Sequence, residues 1–498
     1  MNALPFGTGG LLFVGLYLAF MVALGFYAKR ARRDDSLSDF YLAGRGLGAF
    51  VLLLTLYATQ YSGNTVLGYP GEAYRLGFAW LMSVSFMMAI VVAYLSFAPG
   101  LRRLAVRHGF VTPGDFLDFR FGSKGLSLLA NVLLIVSIAN YLLAQLMAMG
   151  HVTAGLSGQI LPNWVGVLIL VVVIILYETL GGLRAVAWTD CVQGVMLFVG
   201  LLALLLAVAP NPSDWTALTE WLNRNAPEKT AVPGTELCLR WLGTIVLIGF
   251  SGAVYPQAIQ RIYAASSTRA LKRSFQILAF MPLVTTSVVV LVGLAGIQRF
   301  PGLDRIEADQ LMPLMLRAWA EESAFANVMA LLVVTGTLAA IMSTADSVLL
   351  SLSSILAKDV LGKVVLPRAS ETSLTTAGKI LSWLIMGVLA VLAFSPRITL
   401  WGLIELKMEI LIQVSPLFVL GVTWKRLTTP AALTGLMAGS LAAGWFVLGG
   451  IGSIGGLPAG LVAWGLNVLC CVGLSLLPDR LRAGSHARTA RTGLDSAD

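Results

Sequence analysis

Ala340, Ser343, Thr344 and Ser347 recur within one long apolar stretch at i, i+3, i+4 and i+7, so their polar groups share one helical face. Hydroxyl and carbonyl oxygens are hard ligands and suit a hard cation better than a soft one. Asp346 stands beside this face as the only charge between Thr335 and Ser354. A carboxylate at membrane depth is costly until something pairs it, so its presence asks for a cation. The hydroxyls alone would say little, because Ser and Thr in apolar helices also bond back to their own carbonyls.

Two further stretches mix polar groups with helix breakers. In Leu56–Gly71, Gln60, Ser62, Gly63 and Asn64 sit at mid-membrane depth. In Ile248–Arg261, Ser251-Gly252 sits midway and Pro256 follows. A glycine among such neighbours is a natural place for a helix to unwind and free carbonyls for a cation or a solute. Small-residue helix contacts are the plainer alternative, although Gln and Asn are expensive if they only pack. By depth and polarity, Gln60, Asn64, Asn140, Gln145, Ser251 and the adjoining Gly252 are candidates to line a solute cavity.

Asp190 and Gln193 follow Gly181-Gly182 at the start of another apolar run. The acid either favours the helix dipole there or points inward to help hold a cation, and the pattern leaves both readings open. Glu405 and Glu409 share a face, with Lys407 about 200° round from Glu405. Either the three neutralise one another or they form a solute or proton site.

The elements that must position these residues follow from composition. The chain has 498 residues, 57% hydrophobic and 12% charged. A soluble domain carries about 25% charged residues, so most of this surface does not face water. Gly125–Gly150 and Ser274–Gln298 contain no Asp, Glu, Lys or Arg. A crossing helix needs about 20 apolar residues, and these runs lack the alternation of a barrel. The expected fold is therefore an all-α polytopic membrane protein with 13 transmembrane helices, each of roughly 20 residues except a ninth that overruns the bilayer. Basic residues cluster in alternate loops, as in Lys29–Arg33, Arg102–Arg107, Arg261 and Arg269–Arg273. The positive-inside rule places those loops in the cytoplasm, the N-terminus outside and the C-terminus inside. The first span lacks a basic leader and a small-residue cleavage site, and reads as a retained helix.

Several function classes find no support. Cys191, Cys238, Cys470 and Cys471 have no metal-ligand spacing and read as apolar filler. His108 and His486 read as loop or tail residues and His151 as a helix-end residue, so no catalytic cluster forms. No phosphate-binding loop is present. No enzyme activity is expected, and no catalytic residue, organic cofactor or nucleic-acid partner. The net charge of +9 fits basic cytoplasmic loops.

Four stretches carry a resemblance: Phe40-Tyr-Leu-Ala-Gly-Arg45, Ala58 to Gly71, Gly181-Gly-Leu-Arg-Ala-Val-Ala-Trp-Thr-Asp190, and Ala340-Ile-Met-Ser-Thr344. Together they resemble the sodium:solute symporter family. The resemblance implies a leucine-transporter-like 5+5 inverted repeat with flanking helices, working by alternating access. It implies an organisation of 1–46 as an extra helix and cytoplasmic loop, 47–210 as the first repeat, and 211–238 as an extracellular loop. Residues 239–424 are then the second repeat, 425–478 two further helices, and 479–498 a cytoplasmic tail. Sodium is the implied coupling ion and only metal, with a main site at Ala58, Tyr61, Ala340, Ser343 and Thr344. A second cation site would use Asp190, Ser343, Asp346 and Ser347. Asp346 departs from the family's usual hydroxyl, which strengthens that site or makes it bind a proton. Gln60 and Gly252 depart from the proline carriers, and Tyr255–Tyr263 looks more like carriers of monocarboxylates or pantothenate. The expectation is a monomer in the lipid bilayer of a bacterial cytoplasmic (inner) membrane, importing a small organic solute: a monocarboxylate, pantothenate or an amino-acid-like molecule. Proton coupling on the same fold, or a transporter-like solute sensor, are the alternatives. The tail after Pro478 is too short for a kinase, which argues against the sensor.

Overall fold

The computed structural model describes residues 7–30, 36–157, 159–208, 212–395 and 398–477. The tail expected at 479–498 and the side chains of residues 177–181 lie outside that description, as do the basic residues at 31–35. Helices dominate because a chain in lipid must satisfy its backbone internally. The strands among the described residues are one antiparallel pair, Ser453–Ile454 with Leu457–Pro458.

α1 (Gly7–Arg30) and the short α2 (Leu37–Leu42) come first. α3 (Ala49–Gln60) stops at Tyr61; a π-helical turn over Asn64–Gly68 and α4 (Tyr69–Leu76) resume it. α5 (Val84–His108) follows, then α6 (Pro113–Phe121), opened by Pro113 and a reciprocal cap between Thr112 and Asp115. α7 (Lys124–Leu156) and α8 (Asn163–Val208) are long, and α9 (Pro212–Asn225) is amphipathic. α10 (Thr235–Gly252) and α11 (Pro256–Ala264) meet at a 52° bend. α12 (Thr268–Leu278), α13 (Met281–Arg299) and α14 (Leu311–Ala320) lead to α15 (Ala324–Ser354), which runs on as π helix to Val365. α16 (Glu371–Ala393), α17 (Leu400–Leu411), α18 (Ser415–Thr423), α19 (Thr429–Leu448) and α20 (Ala459–Leu476) complete the described chain.

Among the described residues, eight helical runs are long and apolar enough to cross a membrane, or nine if the bent pair α10–α11 is one crossing. Some expected spans are delivered in pieces too short to register as crossings. α3 is 12 residues because its helix breaks. Other runs are too long for one crossing. The helical run Asn64–His108 of 45 residues would extend about 68 Å if straight, against roughly 30 Å of hydrocarbon. It turns at Gly77, whose φ of 68° suits glycine and where a Cβ would strike the Lys229 backbone. α8 bends likewise at Gly182 (φ 58°, ψ −153°), where a Cβ would run into the Phe40 carbonyl. The reversal expected at Gly181-Gly182 thus has its special backbone angle on the second glycine.

The segment expected as a plain loop at 211–238 contains α9. Its Leu218 and Leu222, one turn apart, are buried against the body. The molecule's outer surface is greasy, with Leu12, Phe20, Val92, Leu206 and Trp445 all exposed, as a lipid-facing surface requires. At the centre lies α15, continuously buried from Val333 to Ser354 and packed against α8, α7 and α3. This is the helix that carries the hydroxyl face.

Candidate functional site

The first break begins where the α-helical ladder of α3 ends. Tyr61 leaves the helix at φ −92°, ψ 88°, with its N–H still bonded to the Tyr57 carbonyl. Two residues on, the Gly63 N–H turns to the side-chain Oε1 of Gln145 (3.1 Å) instead of back to Thr59. The Thr59 carbonyl is left to accept from Thr344 Oγ1 of α15 at 3.5 Å. Ala58 and Tyr61 lie at the end of α3, and Ala340, Ser343 and Thr344 on α15, all five buried. The two stretches meet through the Thr59–Thr344 contact, so a break that frees carbonyls faces a helix that offers hydroxyls.

One turn further along α15 lies a dense polar knot. Asp190 of α8 accepts from Ser343 Oγ through Oδ1 (2.6 Å), and from Thr55 Oγ1 through Oδ2. Arg261 of α11 completes it. Its Nη2 pairs with Asp190 Oδ2 at 2.9 Å and donates to Ser347 Oγ at 2.6 Å. Its Nε donates to Thr55 Oγ1 (2.8 Å) and its Nη1 to the Gln257 carbonyl (3.1 Å). Ser347 Oγ donates in turn to Asp346 Oδ1 at 3.3 Å. The Arg261 and Asp190 side chains are 1% and 0% exposed, so the pair survives only because almost every donor and acceptor is met. The planar guanidinium supplies several donors at fixed angles, which an ammonium could not.

Asp190, Ser343 and Ser347 therefore converge, and a protein cation stands among them. Arg261 corrects the sequence reading, which counted it among the cytoplasmic loop charges. It sits inside α11, whose residues Pro256–Ala264 are all buried.

The second break separates α10 from α11. Tyr255 precedes Pro256 and takes the extended angles that a following proline favours (φ −54°, ψ 127°). Gln60 Nε2 donates to Tyr94 Oη (2.7 Å), which donates to the Gly252 carbonyl (3.2 Å), so a three-member relay ties the two breaks together. Ser251 Oγ bonds the Leu247 carbonyl (2.6 Å) and touches Met408 Sδ (2.8 Å); Tyr255 Oη reaches the same sulfur (3.4 Å). Beside Met408, Lys407 is 2% exposed, with Nζ 3.2 Å from the ring centroid of Tyr141 and 4.7 Å from that of Tyr255.

The charges around Lys407 do not neutralise one another. Glu405 turns outward to Arg240 (3.0 Å), and Glu409 accepts from the Gly460 N–H (3.4 Å). Lys407 forms no ion pair among the described residues. Of the two readings left open for these three residues, mutual neutralisation is the one the structure does not bear out: residues two apart point to different sides of a helix.

Gln60, Gln145, Ser251 and Gly252 all stand at the two breaks. Asn64 is buried in the π turn with neither amide atom hydrogen-bonded, and the outer oxygen of Gln60 is likewise without a partner. Asn140 is only half-buried on α7 and makes no recorded bond to either break. His151 lies in the last two turns of α7, as a helix-end residue, and is 1% exposed. The reading along the chain missed Thr55, Tyr94, Tyr141 and Tyr255. An arginine preceded by Gln257 and Gln260 in an otherwise uncharged stretch was the one signal that could have exposed the knot.

Ionic networks lie beyond the breaks on both sides. Asp115 of α6 accepts from Lys358 (2.6 Å) and Lys363 (3.3 Å), and Lys363 also holds Asp118 and Asp359. Burial opposes ionisation of Asp115, but the two ammonium groups and the Val111 N–H hold its carboxyl below the usual range. At the other end, Asp309 accepts from Arg75 (3.1 Å) and from the N–H of Leu400 (2.7 Å), clamping α4 to the start of α17. Burial pushes Asp309 up to about 6 against the pull of Arg75.

Known proteins share both sequence and architecture with this chain. The model of the sodium:solute symporter family matches residues 40–439. The high-affinity proline transporter PutP of Bacillus subtilis (strain 168) is 27% identical over 431 residues, covering 84% of this chain and 88% of that protein. The sodium/pantothenate symporter of Escherichia coli (strain K12) is 26% identical over 437 residues, covering 85% and 88%. Among solved structures, a Na+-coupled sialic acid symporter in a substrate-bound outward-open state superposes with a TM-score of 0.76 at 18% identity, covering 94% of this chain and 98% of that one. Mhp1, a nucleobase-cation-symport-1 family transporter in a closed conformation, superposes with a TM-score of 0.56 at 14% identity, covering 88% and 92%.

Proposed function

The chain belongs to the sodium:solute symporter family, and from that premise we propose that it imports a small organic solute by alternating access, driven by a sodium gradient. Its relatives are transporters and not enzymes. The observation that carries the reading is the Gly63 N–H leaving the helix for Gln145, which frees the Thr59 carbonyl towards Thr344. The main sodium site in this reading is Ala58, Tyr61, Ala340, Ser343 and Thr344. Thirteen crossings, repeats at 47–210 and 239–424, an outside N-terminus and a single-chain transport unit belong to the same proposal. The solute would lie between the breaks, among Gln60, Asn64, Gln145, Ser251 and Gly252.

The second cation position, Asp190 with Ser343, Asp346 and Ser347, already holds a positive group in Arg261. A second transported ion would enter there only after the guanidinium leaves, so one sodium per cycle is the expected stoichiometry.

Uptake by proteoliposomes tests the core of this reading, with labelled pantothenate, proline and short monocarboxylates as probes. An inward sodium gradient should drive uptake of at least one. Uptake that runs equally well on potassium with a proton gradient would overturn the sodium assignment.

A further inference from the structure

We infer that Lys407 is the anchor for a carboxylate of the transported solute, and that the cargo is an organic anion without a compensating ammonium; this rests on the reading of the chain as a solute carrier. An ammonium in the membrane normally extends to the interface or pairs with an acid. Among the described residues, Lys407 does neither. It lies in the middle of α17, 2% exposed, with its Nζ against the faces of Tyr141 and Tyr255. Cation–π contacts soften the burial of a charge but do not neutralise it.

Its place in the fold is the second argument. Tyr255 is the hinge residue of the α10–α11 break, and α17 also packs on the π turn that follows the first break. Tyr141, the nearer ring, turns its hydroxyl towards Ser62 in the first break and Thr344 on the hydroxyl face. The ammonium therefore stands where both broken helices and the proposed sodium site come together. Two polar side chains of the first break, Asn64 and Gln60, are buried there with unused hydrogen-bonding atoms. A built-in charge on a helix that packs against the turn carrying an unspent amide is what a small polar anion needs from a binding site.

The third argument separates anions from zwitterions. An amino acid would bring an ammonium that needs a carboxylate. The acids that approach this region are already engaged: Glu72 and Asp309 by Arg75, Glu405 by Arg240, Glu409 by the Gly460 N–H, Asp190 by Arg261, and Asp346 by the Ser347 hydroxyl. Lys407 beside the breaks is left with no opposite charge among the described residues.

Thermal-shift measurements on the purified full-length protein in detergent test this, with propionate, benzoate and phenylacetate, their uncharged amides, and proline. Each is added in sodium and in potassium buffer. At least one carboxylate should raise the melting temperature in sodium, while its matching amide and proline should not. This comparison needs only the wild-type protein. Lys407→Met should lose the carboxylate-induced rise and keep the rise produced by sodium alone. A response to proline or to the amides equal to that of the acids would overturn the inference, as would a full carboxylate response in Lys407→Met or no carboxylate response at all. The sodium arm tests the carrier reading separately: if sodium alone produces no shift, or a shift that Thr344→Ala leaves unchanged, that reading fails whatever the anions do.

Discussion

Arg261 and Lys407, two of the cations buried among the described residues, are treated in opposite ways. Arg261 is met by Asp190, Thr55, Ser347 and the Gln257 carbonyl, a set drawn from α3, α8, α11 and α15. Lys407 is met by two tyrosine rings. The first arrangement spends the donors of its cation inside the protein and ties four helices together. The second leaves its cation with capacity for a partner that arrives from outside. The desolvation of a charge is the same problem in both places; what differs is whether the fold or the cargo supplies the answer.

That contrast sets the order of expected effects. Arg261→Met should be the most damaging change, because it leaves the Asp190 carboxylate buried without its partner. Breaking such a pair costs about 3–5 kcal/mol. The melting temperature and monodispersity in detergent should fall sharply, and adding Asp190→Asn should restore part of the loss. An Arg261→Met protein as stable as wild type would remove the distinction between the two cations.

Lys407→Met should abolish carboxylate uptake in proteoliposomes while shifting stability by no more than about 1 kcal/mol, since an apolar side chain of similar length replaces a charge with no ion partner. If its melting temperature falls as far as that of Arg261→Met, Lys407 is structural and the contrast collapses.

Ser343→Ala and Thr344→Ala sharpen the boundary between the knot and the proposed sodium site. Both should raise the sodium concentration for half-maximal uptake, by about tenfold for roughly 1.4 kcal/mol of lost binding. Ser343 also donates to Asp190, so its alanine variant should lose thermal stability as well. Thr344 meets the Thr59 carbonyl and the Tyr141 hydroxyl but donates to no member of the knot, so its variant should lose less thermal stability than Ser343→Ala.

The smallest effect concerns pH at the Asp309 clamp. Burial raises this carboxyl from 3.8 to about 6. The folded protein thus resists ionising it more than the unfolded chain does. Its contribution to stability is complete below about pH 4 and is lost as pH rises through 6. Asp309→Asn should flatten that part of a melting-temperature profile measured from pH 4 to 7.

How far the site could be read in advance varies by residue. Ser343, Thr344 and Ser347 share a face because a helix repeats every 3.6 residues, and α15 keeps that period through the whole stretch. The breaks were legible because Gly63 and Pro256 mark them locally. Arg261 was not, because its place just after a break made it look like a loop charge. Lys407 could be placed opposite Glu405 by angle, but not among the rings of Tyr141 and Tyr255.

The sequence by itself determined that this is a helical membrane protein, where its helices falter, and which side chains share a face on α15. Those features depend on hydropathy and helical period, which act along one segment at a time. Only the tertiary structure decided that Arg261 closes on Asp190 while Lys407 is left without an acid among the described residues. Pairing of a buried charge depends on which segments, here from residue 55 to residue 347, are brought within about 3 Å of one another, and no local pattern carries that distance.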